Sequence, residues 1–447
     1  MSINHTVVEN LGRAHVVGRI LLLATMAFLV GLRGMAQTAD EPGQEPEAAQ
    51  VAVESCGQAA PAKESKEPGA TTVKRKPPML EIKKVEKEFE VHGALVGFYQ
   101  GSTTAKIDGQ DVNADNGSGF GVAADLQMTY RPTVSFFENS FFFVRVLPGT
   151  GKGADQHVGA KLFANLNSIA DYSDALQTNF DNVFWLNEAY YVHTFADGKL
   201  AVGFGKAEPF VVIDDNAFAN NPYSQFVGKP FVNNPVLNSE DQTAPIVGAK
   251  FTPIESISIA ALGVSSSYPN APVSDQKSIY SRIADQPMVA AQLTYSPKFG
   301  ELQGNYRVYY WNATYPHKNS GGATSPDGSG VGVSFDQMIT ETLGLFARVA
   351  YGDKHAYDTD WFWSVGTNLK GLIPSRKNDE LGIGIAESKG TVGPDNLGSE
   401  FHFETYYRIY LTKYFAVSPD IQYVANPLGN THNSGVVAGM IRLESSF

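Results

Sequence analysis

Apolar and polar residues alternate one for one at the end of the chain. Val437, Gly439, Ile441 and Leu443 stand against Met440, Arg442 and Glu444, and the run closes on Phe447. A period of two predicts a strand whose two faces meet different surroundings. Carried to a terminal aromatic residue, it predicts the last strand of a membrane barrel, which pairs back to the first so that no edge is left unsatisfied in lipid. The last strand of a soluble β-sandwich alternates too, so the remainder of the chain has to decide.

From Phe89 onward, short alternating segments recur between turn-rich stretches. The strongest are 120–130, 141–146, 200–206, 257–264, 305–311, 343–351, 401–411 and 415–424. Some connections are tight, as at Ala196-Asp197-Gly198, Ser296-Pro297-Lys298 and Leu411-Thr412-Lys413. Others are long, at about 104–117, 148–182, 207–243, 266–286 and 312–329. Short turns at one end and long loops at the other are the outer-membrane pattern, with the turns in the periplasm. The expectation is an all-β fold: a transmembrane, antiparallel, up-and-down β-barrel of about sixteen strands over residues 89–447, as one domain without internal repeats.

The start of the chain reads as an export signal. Arg13 and Arg19 precede an apolar run at 20–30, and Gly34-Met35-Ala36 offers a cleavage site before Gln37. That run is too short for a membrane-spanning helix, which needs about twenty residues. Residues 37–88 are rich in Ala, Glu, Pro and Lys and predict a disordered periplasmic tether. The charged stretch at 79–89 reads as a solvated connector or a short helix, with peptidoglycan as a conceivable partner. Cys56 is the single cysteine, which excludes an internal disulfide and reads as a bystander in the tether.

Composition narrows the class. The net charge of −12 becomes more acidic once Glu9, Arg13, Arg19 and Arg33 leave with the export signal, which disfavours nucleic acid as a partner. A hydrophobic fraction of 43% with mean hydropathy −0.18 is too polar for a helical membrane protein, and it suits a barrel in which only alternate residues face lipid. The 27 phenylalanines and 20 tyrosines supply aromatic girdles for contact with outer-membrane lipid.

Charge sets the phase of each strand, because a charged residue on the lipid face costs about 2–4 kcal/mol at the midplane. With Val122, Ala124, Leu126 and Met128 outward, Asp125, Gln127 and Thr129 face the lumen. The same rule turns Asn305, Arg307, Tyr309 and Trp311 inward, and likewise His402, Glu404, Tyr406, Arg408 and Tyr410. Arg145, Arg348, Asp420, Gln422, Arg442 and Glu444 follow. Glu188 is taken as inward on energetic grounds alone, because it shares a face with Leu186, Tyr190 and Val192. The lumen then carries guanidinium groups, carboxylates and rings. These suit a polyol, whose hydroxyls accept from arginine and donate to carboxylate. The same groups would equally hold together and wet the wall of any porin.

Several stretches resemble the carbohydrate-selective porins of the OprB type. They are Asn187-Glu188-Ala189-Tyr190-Tyr191, Phe195-Ala196-Asp197-Gly198-Lys199-Leu200, Gly203-Phe204-Gly205-Lys206 and Phe218-Ala219-Asn220-Asn221-Pro222-Tyr223-Ser224-Gln225-Phe226. Phe231-Val232-Asn233-Asn234-Pro235, Glu404-Thr405-Tyr406-Tyr407-Arg408 and the run from Pro419 to Pro427 continue the match, which extends from about Val91 to Phe447. The resemblance implies a monomeric barrel that passes small sugars, monosaccharides such as glucose among them, across the outer membrane of a bacterium. By motif it places Glu188, Glu404 and Arg408 in the pore. Asn220, Asn221, Tyr223 and Gln225 belong to a loop, 207–243, that would fold inward as a constriction or else use its Asn-Asn-Pro runs simply as turns.

Two other readings stand beside a passive sugar channel. A general or cation-selective pore would follow from the acidic charge. An outer-membrane hydrolase would need G-x-S-x-G, H-E-x-x-H or a Cys/His metal spacing, and the chain has none of these; a secreted lectin would be a sandwich. No cofactor or metal is implied.

Overall fold

The computed structural model describes residues 79–80, 88–112, 117–170, 182–183, 186–237, 243–265, 283–319, 321–391 and 398–447. Contacts divide the chain into Met1–Ser65 and Lys66–Phe447, and every described residue belongs to the second unit. The export signal, the tether around Cys56 and the stretch 81–87 lie outside the described residues.

Sixteen antiparallel strands form a closed ring. In chain order they are β1 (Phe89–Ser102), β2 (Ser118–Tyr130), β3 (Ser140–Val146), β4 (Leu186–Phe195), β5 (Leu200–Ala207), β6 (Ala244–Ile254), β7 (Ile257–Ser265) and β8 (Pro287–Tyr295). β9 (Leu302–Ala313), β10 (Gly328–Met338), β11 (Leu343–Gly352), β12 (Thr359–Lys370), β13 (Glu380–Gly390), β14 (Ser399–Tyr410), β15 (Phe415–Ala425) and β16 (Val436–Ser446) complete it. Each strand pairs with its neighbours in sequence, and β16 closes on β1 from Ala94↔Ser446 to Ser102↔Ala438. Phe447 extends the seam, exchanging backbone hydrogen bonds with Gly93 at 3.0 and 3.1 Å. Among the described residues the ring has no free edge, which is the arrangement of a closed barrel and not of a sandwich, and it satisfies the backbone within lipid.

Alternation sets the two faces as the sequence predicts. Along β2, Asp125, Gln127 and Thr129 are buried while Phe120, Met128 and Tyr130 are exposed; along β15, Asp420 and Gln422 are buried while Ile421 and Tyr423 are exposed. Outward residues are mostly aliphatic or aromatic, among them Leu95, Tyr99, Phe204, Ile259, Tyr310, Phe401 and Ile441. Turns at one end are tight. Ala196, Asp197 and Gly198 all take left-handed φ values (53°, 54° and 82°), which reverses the chain between β4 and β5.

The ambiguity at Glu188 has a local cause. β3 pairs with β4 through Arg145↔Glu188 and then Val146↔Leu186, a register shift that marks a β-bulge. The extra residue frees Leu186 from the parity of Glu188. Leu186 turns outward at 46% exposure, while Glu188 is fully buried with Tyr190 and Val192.

Candidate pore constriction

The connection between β5 and β6 turns into the barrel and crosses its interior. It leaves one side of the ring, yet its bonding partners lie on β8, β9, β10, β11, β14 and β16. Gln292 accepts from the Asp214 amide (2.9 Å), and Asp336 accepts from Ala217 (3.2 Å). Asn216 donates to Ser334 Oγ and to the Phe335 carbonyl, and Asn234 donates to the Tyr309 hydroxyl. Glu404 spends both carboxylate oxygens on the amides of Val227 and Gly228, at 2.5 and 2.8 Å. Arg442 donates to the carbonyls of Pro222 and Gln225.

Arg348 is the most connected of these anchors. Its Nε reaches Asp214 Oδ1 at 3.1 Å, and its two terminal nitrogens reach the carbonyls of Asp214, Phe231 and Val232 and the Asn220 amide oxygen. Asp214, itself at φ 59°, also accepts from the Asn234 amide at 2.8 Å. Burial pushes the Asp214 carboxyl above its ordinary pKa, and the Arg348 guanidinium works against that rise.

Asparagine builds the segment's own shape. The side chains of Asn216, Asn221 and Asn234 each accept from the amide two residues on, making a series of Asx turns. Gln225 clamps the tip by accepting from the amides of Asn220 and Asn221 and donating to the Ala217 carbonyl. Tyr223 is buried beside Val96, Phe98, Val227 and Met440. The stretch is therefore both the inward element and a run of turns.

A second inward element, in the connection between β3 and β4, was not foreseen. Glu400 accepts from the amides of Phe163 and Ala164, and Gln422 and Gln100 both donate to the Leu166 carbonyl. Asp155 caps the amides of Leu166 and Asn167. The two inward elements meet through Lys229 N to Asn165 O and Ser168 N to Val227 O. A sequence signal existed: Phe163-Ala164-Asn165 repeats the Phe218-Ala219-Asn220 triplet of the first element.

The remaining predicted lumen residues also face inward. Arg145 makes a forked pair with Asp125 (2.9 and 2.8 Å), reaches Glu188 at 3.0 Å and lies 3.9 Å from Glu208. Arg307 pairs with Asp336 at 2.6 Å and approaches Asp215 to 3.6 Å. Arg408 pairs with Glu444 at 2.5 Å.

Two of the inward rings, Trp311 and Tyr406, are packed into the wall. Trp311 and Tyr406 are 0% and 1% exposed. Each lies across a directly opposed glycine, Gly330 and Gly382, where an added Cβ would sit 2.1 Å from the ring. Trp311 also donates to the Tyr357 hydroxyl, and Tyr406 meets Phe226 edge to face. Ring and missing side chain form one packed unit, so neither ring offers a face to solute.

A closed barrel of this size, apolar outside and charged inside, with a chain segment drawn across its interior, defines an outer-membrane porin. The chain belongs to the carbohydrate-selective porin, OprB family, whose model matches residues 84–447. It is similar to Porin B of Pseudomonas aeruginosa, with 23% identity over 407 residues that cover 78% of this chain and 86% of that protein. Among solved structures, Pseudomonas putida OprB at high pH superposes with TM-score 0.67 at 17% identity, covering 80% of this chain and 94% of the other. The low-pH structure of the same protein gives 0.51 at 17% identity, covering 80% and 93%. The protein is therefore an outer-membrane channel of the carbohydrate-selective family.

Proposed function

We propose that small sugars, monosaccharides included, diffuse passively down their gradient past the 209–237 segment, and that this segment sets the selectivity. The observation that carries the reading is the crossing itself: a chain segment tied to the far wall by Arg348, Glu404 and Arg442 narrows the lumen. The groups beside it that keep partial access to water are Arg145, Glu208, Asp215, Asn220, Asn221 and Gln225. They combine guanidinium, carboxylate and amide, which exchange hydrogen bonds with hydroxyls in both directions. Sequential weak contacts of this kind allow release as well as entry. Glu188, Glu404, Arg408, Arg348 and Arg442 act behind them as positioning residues. The outward aromatic and aliphatic residues are the surface that meets membrane lipid.

Liposome swelling tests the reading. Monosaccharides should enter faster than amino acids of equal size, and added sugar should block ion current in a planar bilayer. Equal rates for both solutes would overturn the selectivity, and a strong cation reversal potential without sugar block would identify a general cation pore.

A further inference from the structure

One part of the inner wall is chemically out of place. Val192 on β4, Ala201 and Gly203 on β5, Ile246 and Gly248 on β6, and Ala260 and Leu262 on β7 all face inward, and all are small or apolar. A water-filled lumen is lined with polar groups, so such a patch needs a cover. The stem of the constriction at 210–213 supplies part of it. Met79 and Leu80 supply more.

These two residues lie ahead of the barrel in sequence, in the stretch expected to be a solvated connector, yet they are 0% and 2% exposed. The Met79 amide donates to the Val211 carbonyl at 2.9 Å. Their side chains belong to the same apolar cluster as Val192, Ala201, Val212, Ile246 and Leu262. Gly203 and Gly248 are directly opposed across β5 and β6. With no side chains there, the wall has a pit. A Cβ on Gly203 would stand 2.8 Å from Met79 Cε, and one on Gly248 would stand 3.3 Å from Leu80 Cδ1 and 3.8 Å from Val212 Cγ2.

We infer that Met79 and Leu80 are an internal pin: this dipeptide seats in the Gly203–Gly248 pit and fastens the stem of the constriction to the apolar side of the wall. The ligand of the pit is the chain's own pre-barrel segment. The backbone bond to Val211 sets its depth, and the two side chains fill the space between stem and wall. The pin restrains the channel whether or not the solute is a sugar, so it stands apart from the selectivity reading.

The test uses the full chain with Cys56→Ser as background. A Met79→Cys thiol in the folded protein should react with a maleimide about tenfold or more slowly than a thiol from Lys298→Cys at an exposed turn, because local opening gates its access. Gly203→Leu, which fills the pit from the wall, should restore fast labelling at position 79. Met79→Asp combined with Leu80→Asp should raise single-channel conductance and its noise. Heat-modifiable migration in gels checks that each variant forms a barrel. Labelling at position 79 as fast as at 298 would overturn the docking. A protected thiol together with wild-type conductance in the double aspartate variant would overturn the restraint on the constriction.

Discussion

The inner wall is built from two chemistries. From β9 to β16 the interior carries the long charged side chains Arg307, Asp336, Arg348, Glu404, Arg408, Arg442 and Glu444, set among packed rings such as Tyr309, Trp311 and Tyr406. From β4 to β8 the interior side chains are chiefly short and apolar, with Glu188, Tyr190, Lys250 and Gln292 among the exceptions. The charged side holds the inward segment by directed hydrogen bonds, each of which demands a particular partner. The apolar side holds it by contact, which is non-directional. The charged side therefore sets where each residue of the segment sits, and the apolar side presses it against the wall.

The sharpest way to break this contrast is Arg348→Ala. It leaves Asp214 buried without its cation and strips donors from the Phe231 and Val232 carbonyls, so a loss of about 3–5 kcal/mol is expected. Thermal unfolding in detergent reads the loss, and single-channel conductance should rise with it. A variant that melts like the parent would show that the charged side is not the anchor. The lipid face gives a control, because lipid does not distinguish the two sides. Ile421→Arg on β15 and Ile259→Arg on β7, both outward, should each cost about 2–4 kcal/mol near the midplane. Unequal costs would mean that the sides differ in more than their interior.

Glu404→Gln keeps one acceptor for Val227 and Gly228 and removes the other, for a loss of about 1.5–3 kcal/mol. Sugar block should weaken more than the melting temperature falls, since the segment's tip moves while the wall stays. Gly332→Ala places a methyl 2.1 Å from the Tyr309 ring, and overpacking of that kind costs about 1–3 kcal/mol. If the cost is absent, the opposed ring-and-glycine pairs are looser than the structure shows.

Much of the wall was legible along the chain because lipid penalises charge so heavily. Asp125, Arg307, Glu404 and Arg442 each fixed the phase of a strand without any knowledge of its neighbours. Glu188 was ambiguous because a bulge changes parity, and a bulge belongs to the pairing of two strands. That Trp311 and Tyr406 are packed away could not be read from their inward phase, for a related reason. What covers each ring is a glycine across the ladder, and which glycine stands opposite depends on register. The second inward element escaped notice because its anchors, Gln100, Glu400 and Gln422, lie on strands remote in sequence. Met79 and Leu80 were hidden by the charged residues that follow them, since two apolar residues carry no periodicity.

The seam between β1 and β16 sets the order of assembly. Every other pairing joins strands that follow one another, so hairpins can form as the chain arrives, each at small loop-closure cost. The seam joins opposite ends of the barrel sequence and cannot form until all the others have. Until then both terminal strands present bare backbone groups, which lipid does not tolerate. Closure and insertion are therefore one event, and a fault at Gly93 or Phe447 would lower the number of channels made and leave the properties of each finished channel unchanged.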